Sequence, residues 1–209
     1  MAAYETEEQQ VEALKQWWKE NSASLFFGLA IGLAGIFGWQ YYDDYTTGHA
    51  QTASDMFNVI NEQVKRSELT DINKLEALTT EYRDTPYAAA AALAAASYYF
   101  EKGEMEQAIR QYQWVLANSD IEENRQLASL RLAQLHIAQG QLDAAESLLQ
   151  SEHPQAFSAR YAELRGDLYV ARGDHARARA AYDEAIRQQA SPTPWLVMKR
   201  ENLGEAEAD

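Results

Sequence analysis

The sequence predicts an all-α protein in which one N-terminal membrane-spanning helix is followed by a solenoid of helix-turn-helix units. Three observations carry that prediction. Residues 21–42 hold no charged side chain. The stretch from about 89 to 190 repeats itself around three glycines. Strand signals are absent, while the helix formers Ala, Leu, Gln and Glu dominate after residue 43 and only four prolines interrupt the chain.

Composition narrows the function. The 209 residues carry 18 Lys and Arg against 32 Asp and Glu, a formal net charge of −14. A nucleic-acid partner is excluded on that ground, because binding one needs a basic footprint. There is no cysteine, so a disulfide scaffold, a zinc–cysteine site and a thiol nucleophile are excluded too. Mean hydropathy is −0.50, the value of a soluble protein, and that average conceals one insoluble segment.

The first element is a segment over 1–21. Val11, Leu14, Trp17 and Trp18 form an apolar stripe among charges, which predicts a short amphipathic helix lying on a membrane surface. The second element, 22–45, is the expected transmembrane helix. Its core, 25–42, reads LFFGLAIGLAGIFGWQYY and reaches about 27 Å at 1.5 Å per residue, near the hydrocarbon thickness. Trp17 and Trp18 precede it, and Trp39, Tyr41, Tyr42 and Tyr45 close it, as in an interfacial aromatic belt. The acidic start (Glu5, Glu7, Glu8, Glu12) is unlike a basic signal-peptide n-region, which favours a retained anchor. Lys15 and Lys19 flank the run on one side, and no Lys or Arg follows it before Lys65. The positive-inside rule therefore expects a cytoplasmic N-terminus and a C-terminal domain across the membrane. Gly28, Gly32 and Gly35 recur at helical spacing and are candidates for close helix packing in the bilayer.

The remainder, from residue 43, carries 16 Lys and Arg against 27 Asp and Glu, a net −11. Gly103, Gly140 and Gly173 set its frame. Seven residues before each stands a small residue (Ala96, Ala133, Gly166), and four before stands a ring (Tyr99, His136, Tyr169). Five after stands alanine (Ala108, Ala145, Ala178), and nine after a large apolar or aromatic residue (Tyr112, Leu149, Tyr182). This pattern resembles the tetratricopeptide repeat, a helix-turn-helix of about 34 residues. Each glycine ends a first helix where a left-handed residue is needed, and the small residues let paired helices approach. The expected units are 89–122, 126–154 and 159–190. A divergent unit over 50–86 precedes them, with Ala53, Phe57, Ile60, Val64, Ile72, Leu75 and Leu78 as its apolar positions. A closing helix over 194–203 covers the last unit with Trp195, Leu196, Met198 and Leu203, and an acidic tail, 204–209, follows. The whole repeat domain is expected over 46–203.

No nucleophile elbow, phosphate loop, HExxH or nucleotide fingerprint occurs. His136 takes a ring position of the repeat and reads as a packing residue, while His49 and His153 fall in connecting segments. The chain is therefore expected to be no enzyme and to hold no catalytic, cofactor or metal residues. Binding is the better expectation, through a groove lined by the first helix of each unit. Repeat register nominates Ser97, Phe100, Glu101, Gln134, Ile137, Arg160, Glu163 and Asp167 for it.

Beyond the repeat, the chain as a whole resembles the YfgM family, the ancillary subunit of the bacterial Sec translocon. The resemblance rests on the start from Tyr4 to Lys15 (YETEEQQVEALK) with Trp17-Trp18 and Glu20-Asn21, and on Gly38-Trp39 with Tyr41 and Tyr42 at the membrane exit. Leu164-Arg165-Gly166-Asp167 and the closing Met198-Lys199-x-x-Asn202-Leu203 complete it. Ser22, where glycine is expected, and the acidic tail are departures. The resemblance implies a single-pass inner-membrane protein with its repeat domain in the periplasm. It implies association with the SecY-E-G channel and with a PpiD-type periplasmic chaperone, and a task in handling emerging client proteins. Two other classes stay open from the residues alone: a general membrane-anchored scaffold for envelope complexes, and a regulator that sequesters a cytoplasmic signalling protein.

Overall fold

The computed structural model describes residues 7–204; the expected acidic tail lies outside the described residues from 205 onward. Nine α-helices and one short 3-10 turn organise the described residues, with no strand among them, so the all-α expectation holds. The chain divides into two units between Gln51 and Thr52.

The first helix, α1 (Glu7–Lys65), runs through both units without a break. The expected separate helix ahead of the span is thus not a separate element, and neither 21/22 nor 45/46 is a helix end. The reason is local. No proline falls in α1, and Asn21 donates its side-chain amide to the Trp17 carbonyl at 2.9 Å, within the helix, instead of capping a new one. Thr46 likewise donates back to the Tyr42 carbonyl at 3.0 Å, and Gly48 and His49 continue as helix. Within the first unit the apolar side chains are uncovered, Phe27 at 69% and Trp39 at 74% exposure. A helix this long and apolar, with nothing buried against it, can cross a membrane.

The second unit is built from helix pairs. Its helices are the C-terminal end of α1, then α2 (Ile72–Thr80), α3 (Pro86–Glu101), α4 (Met105–Asn118), α5 (Glu122–Ala138), α6 (Leu142–Leu149), α7 (Ser158–Ala171), α8 (His175–Arg187) and α9 (Pro194–Glu201). The pairs α3–α4, α5–α6 and α7–α8 pack internally, and each pair packs on the next. Sequence chemistry explains the boundaries. Pro86 and Pro194 sit in the first turn, where no backbone donor is needed, and extended Thr85 and Thr193 precede them. Asp174 caps α8 by accepting from the Arg177 amide at 2.9 Å.

The three frame glycines close the same turn three times. Gly103, Gly140 and Gly173 have φ of 77°, 72° and 75°, a region that L side chains rarely adopt. The residue after each donates its amide to the carbonyl of the ring residue, Tyr99, His136 or Tyr169, at 2.8, 2.8 and 2.9 Å. That is the Schellman pattern, which satisfies carbonyls left over at a helix end. Ala108, Ala145 and Ala178 are fully buried where the paired helices meet. His136 is buried and shares a 2.5 Å hydrogen bond with Gln141, a packing role.

The core follows the pairs. One cluster joins Ala53 and Ile60 of α1 to Leu75, Leu78, Ala92, Ala95, Tyr112 and Val115. A second surrounds Leu130, Ala133, Leu149, Tyr161 and Leu168, and a third joins Ala162, Tyr182, Ala185 and Leu196. Two expectations fail here. Ile72, the first residue of α2, is 45% exposed, while Leu75 and Leu78 are buried. In α9, Leu196 is buried and Leu203 packs on the third cluster, but Trp195 and Met198 point away from it.

Candidate functional site

The helices that begin each pair, α3, α5 and α7, lie side by side, with α3 against α5 and α5 against α7. Residues three and four apart share a helix face, so each helix offers one stripe to a common surface. Two cavities open there. The first, of about 230 Å³, is lined by Ser97, Phe100 and Glu101 of α3, Tyr112 of α4, and Arg131, Gln134 and Leu135 of α5. The second, of about 170 Å³, shares Arg131 and Gln134 and extends across α7 to α9. Arg160, Glu163, Asp167, Trp195 and Lys199 are among its walls. Seven of the eight nominated groove residues thus line one or the other. Ile137 does not; it is half-buried against the second core cluster, because the last turn of α5 is covered by the following pair.

The end of the groove at α9 is a charge network. Lys199 donates to Glu163 at 3.0 Å and to Asp167 at 2.7 Å. Arg160 bonds the other oxygen of Glu163 at 2.7 Å, and the Tyr182 hydroxyl donates to Asp167 at 2.6 Å. Glu163 is only 5% exposed, so it needs these partners: an unpaired carboxylate at that depth is strongly disfavoured. Burial, then the hydrogen bond to Asp167 and the nearby carboxylate charges, pushes the Tyr182 phenol far above its usual range. Burial also raises Tyr112, at the floor of the first cavity. Arg200 pairs with Asp183 at 2.9 Å and Arg179 donates to the Leu203 carbonyl at 3.0 Å, holding α9 against α8. The closing helix therefore supplies the groove's last wall.

Several lining residues escaped the sequence nomination, Tyr112 and Leu135 of the first cavity among them. Arg131 lies one turn before Gln134 on the same stripe, so extending the register by three would have found it. Leu127 belongs to the same stripe one turn further back. Trp195 and Lys199 are four apart on α9, but nothing local signals that their helix reaches α7. Gly28, Gly32 and Gly35 all face open space: a Cβ at any of them would meet nothing within 4 Å. No group of three or more metal-ligating side chains lies among the described residues.

Stacked helical pairs, following an apolar N-terminal helix in the chain, are the architecture of a helical-repeat protein. The family model described as a tetratricopeptide repeat-like domain matches residues 15–205. The chain is 31% identical over 205 residues to the ancillary SecYEG translocon subunit of Escherichia coli strain K12, covering 97% of this chain and 99% of that relative. It is 31% identical over 179 residues to the protein of the same name from Haemophilus influenzae, covering 86% and 88%. To the one from Neisseria gonorrhoeae it is 27% identical over 208 residues, covering 97% and 100%. No solved structure matches. The chain belongs to the tetratricopeptide repeat-like family and, with these relatives, to the YfgM family of ancillary SecYEG translocon subunits. Neither the family description nor the relatives' names designate an enzyme.

Proposed function

We propose that this chain is a non-enzymatic ancillary subunit of the bacterial Sec translocon. Residues 22–45 anchor it in the inner membrane, residues 1–21 are cytoplasmic, and the repeat domain, 46–203, lies in the periplasm. Its groove binds a PpiD-type chaperone, emerging client proteins, or both. The observation that carries the binding role is the groove, where seven side chains nominated from repeat register line two adjoining cavities. The names of the relatives support the translocon as its setting. Lys15 and Lys19, with no further Lys or Arg before Lys65, support the direction. Gly28, Gly32 and Gly35 give the span a face that a second membrane helix can approach closely.

The test is site-directed photo-crosslinking in intact membranes, from Phe100 and Gln134 in the groove and from Gly32 in the span. The expected products contain SecY-E-G components and a PpiD-type chaperone. A product list of other envelope proteins with no Sec component would replace this function with a general scaffold.

A further inference from the structure

We infer that the groove selects peptide segments in which an aromatic side chain neighbours a carboxylate. The ring enters the cavity between α3 and α5, and the carboxylate pairs with Arg131. This rests on the groove being the binding surface and adds the chemistry of what it takes.

The cavity fits a ring. Its volume of about 230 Å³ exceeds the roughly 150 Å³ that suffices to hold a benzene molecule in an apolar protein cavity. Phe100, Tyr112 and Leu135 supply apolar wall, and Phe100 stands 46% exposed on an otherwise polar stripe. An incoming ring would cover it and gain aromatic contact on two sides.

Charge then sets what sits beside the ring. The groove holds three cations and three carboxylates: Arg131, Arg160 and Lys199 against Glu101, Glu163 and Asp167. Arg160 is bonded to Glu163, and Lys199 to both Glu163 and Asp167. Arg131 pairs with no carboxylate among the described residues; its bond is to the neutral Gln134, at 3.3 Å. It stands where the two cavities meet, so a segment running from one to the other passes over it. A guanidinium paired with no carboxylate is complementary to one that arrives, which it can hold in a two-pronged bond. Glu101, at the opposite rim, disfavours a second acid there and gives the segment a direction.

The test uses the purified full chain in detergent micelles and fluorescein-labelled peptides with a glycine–serine background. The peptides carry Phe-Glu, Phe-Gln, Phe-Lys or Ala-Glu, and binding is read by anisotropy. Phe-Glu should bind about fivefold more tightly than Phe-Lys, the discrimination one partly exposed ion pair supplies. Ala-Glu should lose measurable binding. Arg131→Glu should invert the preference toward Phe-Lys, and Arg131→Lys should keep it. Arg131 is exposed, and unchanged thermal melting of both variants confirms that they fold. Binding that needs the peptide's phenylalanine but ignores the neighbouring charge overturns the inference and leaves the groove reading intact. Absence of binding by every peptide also overturns it, and the crosslinking from Phe100 and Gln134 then decides separately whether the groove reading survives.

Discussion

Replacing Gly166 with alanine adds one methyl group at the tightest approach between α7 and α8. A Cβ there would lie 2.2 Å from Cε1 and 2.3 Å from Cδ1 of Tyr182. Favourable carbon contacts lie near 3.5–4.0 Å, so the ring must retreat by about 1.5 Å. It has little freedom to do so, being 2% exposed with its hydroxyl tied to Asp167 at 2.6 Å. Overpacking of this kind costs about 1–3 kcal/mol, and weakening a hydrogen bond to a charged group adds up to about 1.5–3 kcal/mol. The better helix propensity of alanine offsets about 1 kcal/mol. The net expectation is a loss of about 1.5–5 kcal/mol, or roughly 3–20 °C in Tm for a domain of this size. Far-UV circular dichroism melting of the full chain in micelles measures it. The second repeat pairs Ala133 with Leu149, so adding Tyr182→Leu to the variant should restore part of the loss. A melting temperature equal to or above wild type would refute the packing argument, since propensity alone would then decide the outcome.

Ala108→Leu should destabilise the domain by about 1–3 kcal/mol in the same melt, because Ala108 is fully buried where α4 meets α3. Lys199→Ala should cost about 2 kcal/mol by removing the shared donor of Glu163 and Asp167, while Lys199→Arg should cost less. The Asp174 carboxyl is held below its ordinary value, first by the Arg177 amide and then by the Arg177 side chain. Its folded-state value is the lower one, so its stabilisation is present above the unfolded carboxylate range and lost as pH falls through the depressed value. Acid titration of Asp174→Asn should therefore show a shallower loss of stability than wild type. An alkaline phosphatase fused to the C-terminus should be active if the domain is periplasmic, and a β-galactosidase fusion at the same site inactive.

How much of this was legible in the residues depends on the range of the interaction. Gly103, Gly140 and Gly173 announced their turns because a positive φ admits few residue types, and that constraint is local. Ala108, Ala145 and Ala178 could be placed because helix pairing demands a small side chain at one register position. The groove stripe on α3, α5 and α7 followed from that register, except at Ile137, where the next pair covers the helix end. The link between Lys199 and Glu163 spans 36 residues and involves a helix outside the repeat frame, so no periodicity reports it. The continuity of α1 across 21/22 was missed for the opposite reason. The charged residues end at Glu20, and only the direction of the Asn21 amide shows that helix continues on both sides.

The pairwise packing of the second unit bears on how the chain acquires its fold. Each helix from α2 to α9 packs most on those next to it in the chain, and the contacts that skip a helix, α3 with α5 and α5 with α7, reach back past one helix only. Such a chain can fold progressively from its N-terminal end, each hairpin docking as it becomes available on a platform already formed. The Lys199 network likewise reaches back across α8 to α7. The helix that completes the groove therefore follows the pairs it closes, and Glu163 and Asp167 await their shared cation until synthesis has passed residue 199.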